Sequence, residues 1–122
     1  MKYNIQKRVL VVDDDREIRF FCQQVLDRHG FVTNTAKSAE GAMHILQNNE
    51  YEVVLLDINL PRMDGIEMAG IIKEKYPHIR VIIMTGSAGM QDIEKALESG
   101  ARSFIRKPFK ISDLIQQIKD QL

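Results

Sequence analysis

Four short apolar runs punctuate the chain: Val9–Val12, Val53–Leu56, Val81–Met84 and the shorter Phe104–Ile105. They are rich in Val and Ile and do not alternate with polar residues. Runs of this kind predict central strands of a parallel sheet, because helices cover both faces and leave neither to water. A fifth stretch, Val32–Ala36, carries Thr33, Asn34 and Thr35, and predicts a strand at a sheet edge. Between the runs, apolar residues recur at helical spacing. One stripe is Ile18, Cys22, Val25 and Leu26; a second is Ala39, Ala42, Met43, Ile45 and Leu46. A third is Ile66, Ala69, Ile71 and Ile72; a fourth is Ile93, Ala96 and Leu97. The last is Ile111, Leu114, Ile115, Ile118 and Leu122.

Punctuation agrees with this division. Gly30 and Gly100 stand where helices should end. Ser38 suits an N-cap, and Asp64 with Glu67 three residues on reads as a capping box. Strand and helix therefore alternate five times. That pattern predicts an α/β fold with helices on both faces of a parallel sheet, joined by right-handed crossovers. No repeat, low-complexity segment or linker interrupts it. The expectation is a single domain over residues 1–122, with its core from about residue 8 and its last helix ending with the chain.

Composition narrows the class. At 122 residues the chain can bury a core without disulfides, and its 44% hydrophobic and 28% charged content is that of a globular protein. Seventeen Lys and Arg balance seventeen Asp and Glu, which argues against a broad nucleic-acid surface. No apolar run approaches membrane-spanning length. The opening Met1-Lys2-Tyr3-Asn4 lacks the apolar stretch of a secretory signal. The single cysteine, Cys22, excludes an internal disulfide and suits a reducing cytoplasm. Its helical neighbours make it a small buried hydrophobe rather than a catalytic thiol.

The candidate chemistry lies directly after the strands. Val9–Val12 runs into Asp13-Asp14-Asp15, and Val53–Leu56 into Asp57. Val81–Met84 runs into Thr85-Gly86-Ser87, and Phe104–Ile105 into Arg106-Lys107-Pro108. In an open α/β sheet the carboxyl ends of the strands are where ligands bind. Asp13, Asp14 and Asp57 would repel one another there unless one is protonated or a cation joins them. Oxygen-only ligands favour a hard cation, Mg²⁺ or Mn²⁺. Mg²⁺ shares its shell with phosphate oxygens, so the cluster points to phosphoryl chemistry. Asp57 can then act as a nucleophile forming an acyl phosphate. Lys107 can pair with a phosphoryl oxygen, and Thr85 can donate its hydroxyl to another.

Taken together, Val11-Val12-Asp13-Asp14-Asp15, Leu56-Asp57-Ile58-Asn59-Leu60-Pro61-Arg62-Met63-Asp64-Gly65, Met84-Thr85-Gly86 and Lys107-Pro108-Phe109 resemble the receiver domain of two-component response regulators. The resemblance runs from about Arg8 to Leu122. It implies a flavodoxin-like (βα)5 fold with strand order 2-1-3-4-5. It implies that Asp57 is the phosphoacceptor. Asp13 and Asp14, with Asp57 and the backbone carbonyl of Asn59, would hold Mg²⁺. Thr85 would be the switch hydroxyl, Lys107 the phosphate-pairing lysine, and Phe104 the rotating switch aromatic, a position often filled by Tyr. Gly86 replaces a frequent Ala and leaves more room beside the phosphate. Lys107-Pro108 would be a cis peptide.

The same resemblance implies partners. A sensor histidine kinase or a phosphotransfer protein would supply the phosphoryl group. The output would be a separate protein or a fused domain, addressed through the face of the fourth helix, fifth strand and fifth helix. The chain would be a cytoplasmic monomer or a phosphorylation-dependent dimer, touching neither nucleic acid nor membrane. It would be a regulatory domain that catalyses only its own phosphorylation and dephosphorylation.

Other assignments compete at single positions. Asp15 suits a cap of the first helix better than a ligand. Asp64 is a helix cap, and Ser87 a cap or a solvent-facing group that tunes water access. Phe104 divides evenly between core and switch. His29, His44 and His78 are scattered, at the surface or partly buried. Two other functions compete as well. In a haloacid-dehalogenase-like phosphatase, Asp13 and Asp15 would form an Asp-x-Asp, but the chain has no room for a cap domain. In a flavodoxin, the acids after the first strand would repel a flavin phosphate.

Overall fold

The computed structural model describes residues 6–86 and 89–122. The readings made above for Met1 to Asn4 and for Ser87 lie outside the described residues. Strand and helix alternate through β1 (Arg8–Val12), α1 (Arg16–Arg28), β2 (Val32–Ala36), α2 (Ala39–Asn48) and β3 (Val53–Asp57). They continue through α3 (Gly65–Lys75), β4 (Arg80–Thr85), α4 (Met90–Ser99), β5 (Ser103–Arg106) and α5 (Ile111–Gln121). The strands form one parallel sheet in the order β2-β1-β3-β4-β5. The polar strand β2 is indeed at an edge. Chain order reverses at β1, so the crevice of an open α/β sheet falls between the carboxyl ends of β1 and β3.

Two cores lie on the two faces of the sheet, because successive strand residues point to opposite sides. On one face Leu10, Val12, Val54, Leu56, Val81 and Ile83 meet α2, α3 and α4. On the other face Val9, Val11, Val53, Leu55, Ile82 and Met84 meet Cys22, Val25 and Leu26 of α1 and Leu114, Ile115 and Ile118 of α5. All five residues of β3 are buried. Each fully buried Leu or Ile contributes about 1.5–3 kcal/mol relative to exposure.

The first three helices start where side chains allow. Asp15 accepts from Glu17 N, Ser38 from Gly41 N and Asp64 from Glu67 N. Asp15 is the N-cap itself, one residue ahead of the first turn. Gly30 (φ 87°) follows α1, and Gly100 (φ 136°) closes α4. These are left-handed positions that side-chain-bearing residues avoid. Three stripe residues depart from expectation. Leu97, Ile111 and Leu122 are exposed. Periodicity identifies a stripe but not how far a helix overhangs its sheet. Ile111 and Leu122 flank the buried part of α5, and Leu97 faces an open cavity beside β5. The three histidines are exposed.

Candidate functional site

The register of the sheet sets the site. Val12 pairs with Leu56, so Asp13, one residue on, comes level with Asp57 at the end of β3. Asp57 in turn pairs with Met84, which places Thr85 one step further along β4. Asp13 and Thr85 are fully buried, and Asp57 is 6% exposed. Asp14 and Asn59 face outward. One carboxylate oxygen from each of Asp13, Asp14 and Asp57 lies within 4.8 Å of the others.

Each acid is tied to its own loop. Asp13 Oδ1 accepts from Asp15 N at 2.9 Å, and Asp57 Oδ1 accepts from Asn59 N at 3.0 Å. That leaves Asp13 Oδ2 and Asp57 Oδ2 for Lys107, whose Nζ sits 2.6 Å from the first and 3.5 Å from the second. The lysine arrives there because its backbone N donates to Thr85 O at 2.7 Å. The Lys107-Pro108 peptide is cis. Arg19 of α1 adds a second cation, donating from Nη1 to the backbone carbonyl of Asp13 at 2.8 Å.

Electrostatics follow from burial. Desolvation pushes the Asp13 carboxyl above its ordinary 3.8, and the Asp57 charge adds to this. The hydrogen bonds from Lys107 and Asp15 oppose it without cancelling it. For Lys107, burial works against the charged form. The hydrogen bond to Asp13 and the charges of Asp13 and Asp57 outweigh it and raise the value above 10.5. One ammonium thus faces three carboxylates at the rim. The oxygen-only donor set and the unbalanced negative charge fit a hard divalent cation. Cys22 lies beneath, its thiol pushed up to about 12 first by burial and then by Asp13. It is an inert core residue, as the sequence suggested.

Phe104 is set apart from the acids. It is partly buried and packs on the α2–α4 core. The Arg106 guanidinium lies 5.8 Å from the centre of its ring. Phe104 and Arg106 line an open cavity of about 700 Å³ with Leu97, Phe109, Asp113 and Gln117. Arg106 also reaches Met90 Sδ of α4 at 3.9 Å. Asp15 and Asp64 are committed to caps. A Cβ on Gly86 would meet no atom within 4 Å, so the room expected there is open space at the surface. Sequence reasoning missed Arg19, which no motif marks. It also did not single out Gly65, a buried glycine that opens α3 against the Asp57–Ile58 backbone.

Comparison with known proteins agrees with this geometry. The family model described as the response regulator receiver domain matches residues 9–119. The chain is similar to the heme response regulator HssR of Staphylococcus epidermidis, with 34% identity over 110 residues. That match covers 90% of this chain and 49% of the relative. The sporulation initiation phosphotransferase F of Bacillus subtilis is 34% identical over 118 residues, covering 97% of this chain and 95% of the relative. Against the DNA-binding transcriptional regulator NtrC of Proteus hauseri, at 35% identity, the chain spans 24% of the relative's length. Among solved structures, a CheY-like receiver domain protein of Methanospirillum hungatei superposes with a TM-score of 0.92 at 32% identity. That match covers 96% of this chain and 94% of the other. The chain spans about half or less of the length of several relatives it matches and nearly all of others. No helix among the described residues is long and apolar enough to cross a membrane. The chain belongs to the response regulator receiver domain family of two-component signal transduction.

Proposed function

We propose that this chain is a phosphoacceptor switch in which Asp57 takes a phosphoryl group from a phosphohistidine of a sensor histidine kinase or phosphotransfer protein. One observation carries the reading: the buried Asp57 carboxylate lies beside Asp13 and Asp14, with Lys107 Nζ bridging Asp13 and Asp57. An Asp57 oxygen forms the new bond to phosphorus. The phosphorus–nitrogen bond of the donor breaks, and the released imidazole takes up a proton. Lys107, already within reach of Asp57 Oδ2, pairs with the transferred group, and the Thr85 hydroxyl donates to another of its oxygens. Asp13, Asp14, Asp57 and the Asn59 backbone carbonyl would hold Mg²⁺, or Mn²⁺ in its place, which when bound neutralises charge on the transferring phosphoryl group.

The switch then follows from charge placed at one end of the sheet. Thr85 and its loop draw towards the phosphoryl group, and Phe104 turns inward from the cavity it lines. The surface of α4, β5 and α5 changes shape and with it the preference for an output protein or a fused output domain. The protein acts as one regulatory domain in the cytoplasm, monomeric or dimerising on phosphorylation. The near full-length match to a protein called a phosphotransferase also supports a relay role. The haloacid-dehalogenase-like alternative is less well supported, because Asp15, its second acid, caps α1 through Oδ1. Incubation with phosphoramidate and Mg²⁺ tests the assignment. Wild type takes up one phosphoryl group, and Asp57→Asn takes up none. Full labelling of Asp57→Asn would remove Asp57 from the role.

A further inference from the structure

Asp57 ends β3, and eight residues later the chain returns to touch it. Gly65 is the first residue of α3 and is buried. Its N–H donates to Ile58 O at 2.9 Å, while Ile58 N donates to Met84 O at 3.0 Å. The Asp57–Ile58 peptide is thus gripped between β4 and the start of α3. A Cβ built on Gly65 would lie 2.5 Å from Asp57 O, 2.7 Å from Ile58 Cα and 3.2 Å from Asp57 C. All three are backbone atoms, which cannot swing away as a side chain can. The φ of Gly65 is not in the left-handed region, so its backbone conformation would suit any residue. Only space demands glycine here, at a position where helix propensity disfavours it. The other helices open on Arg16, Ala39, Met90 and Ile111.

We propose that Gly65 is a positioning residue for Asp57: its missing side chain lets the start of α3 seat directly on the Asp57–Ile58 peptide and aim the Asp57 carboxylate at Asp13 and Asp14. This rests on the reading of Asp57 as phosphoacceptor. A methyl group at 65 would force the Asp57 carbonyl from 2.5 Å to the 3.4 Å of an ordinary contact, a retreat of 0.9 Å. The Asp57 carboxylate moves with its own backbone. Asn59, whose amide holds Asp57 Oδ1, moves too.

The experiment compares wild type, Gly65→Ala and Gly70→Ala. Gly70 lies on the same helix, where a Cβ would meet nothing nearer than Ser99 O at 3.8 Å. The first readout is the Asn59 amide resonance in metal-free protein. It reports the bond to Asp57 and stays informative even if Asp57 is never phosphorylated. The second is the Mg²⁺ dissociation constant by calorimetry, since the chain has no tryptophan to report binding. In Gly65→Ala the Asn59 resonance shifts, Mg²⁺ affinity falls roughly 10-fold or more, and phosphorylation by acetyl phosphate slows by a similar factor. Gly70→Ala leaves all three unchanged. A Gly65→Ala protein that melts earlier yet keeps the wild-type resonance and Mg²⁺ affinity overturns the proposal.

Should Gly65→Ala fail to fold, Asp64 supplies the test. Asp64→Ala removes the cap that seats α3, whereas Asp64→Asn keeps it and removes only the charge. Weaker Mg²⁺ binding in Asp64→Ala alone supports positioning through the helix start; equal effects in both, or none in either, overturn it. A wild type that binds no Mg²⁺ and accepts no phosphoryl group defeats the functional reading instead. The metal-free resonance would then still decide the role of Gly65.

Discussion

The two sides of the site are built differently. On the β1–β3 side, Asp13 and Asp57 are buried, every residue of β3 is out of water, and the helices α1, α2 and α3 each begin with a side-chain cap. On the β4–β5 side, the N-cap residues are Gly89 for α4 and Lys110 for α5, neither of which makes a side-chain cap. There β5 is only four residues long, Phe104 and Arg106 face an open cavity, and Leu97 and Met90 are exposed. The first side holds charges in place at an energetic cost. The second starts its helices without side-chain caps and borders an open cavity. A switch needs both, because a local charge biases only an element with two accessible arrangements.

The largest expected effect lies on the fixed side. Asp13→Asn removes a proposed metal ligand and should weaken Mg²⁺ binding roughly 10- to 100-fold. The same change should stabilise the metal-free fold. Because the Asp13 value is raised on folding, its stability contribution is present below the ordinary 3.8 and is lost as pH rises through the folded value. Asn avoids that loss. Its melting temperature should exceed that of wild type, with the gap widening as pH rises above 3.8. A calorimetric scan showing Asp13→Asn less stable at neutral pH would break the contrast between the two sides.

Hydrogen exchange sharpens the comparison next. Amides at the starts of α4 and α5 should exchange on the order of 10-fold faster than those at the starts of α1 to α3, in metal-free protein. Uniform protection across the five helices would contradict the division. Capping gives a smaller, signed effect. Ser38→Ala should cost about 1 kcal/mol in urea melts, whereas Lys110→Ser, which adds a cap at α5, should gain roughly 0.5 kcal/mol or more. The smallest effect concerns Cys22. With its value pushed up to about 12 and its side chain buried, native protein should resist alkylation at mildly alkaline pH until it unfolds.

The sequence made the fixed side legible because its signals are local. Val53 to Leu56 read as a buried strand, and an acid closing such a strand announces itself. Pairing between Asp13 and Asp57 needed only the inference that their strands are neighbours. The rest was hidden in distance. Arg19 reaches the Asp13 carbonyl from the first turn of α1, and Gly65 matters through a backbone met only after a loop returns. Leu97 and Ile111 fit apolar stripes, yet one borders a cavity and the other precedes the packed turn of α5. The β4–β5 side leaves less local trace, because an uncapped helix start and an open cavity are not motifs.

The central claim is tested most directly by intact and peptide mass spectrometry after incubation with acetyl phosphate. With Mg²⁺ present, the expected result is one phosphoryl group on the peptide containing Asp57, removable by hydroxylamine as an acyl phosphate must be. It should be absent when a chelator replaces the metal. A group found on a histidine or on Thr85, or one that forms equally well without a divalent cation, would contradict it.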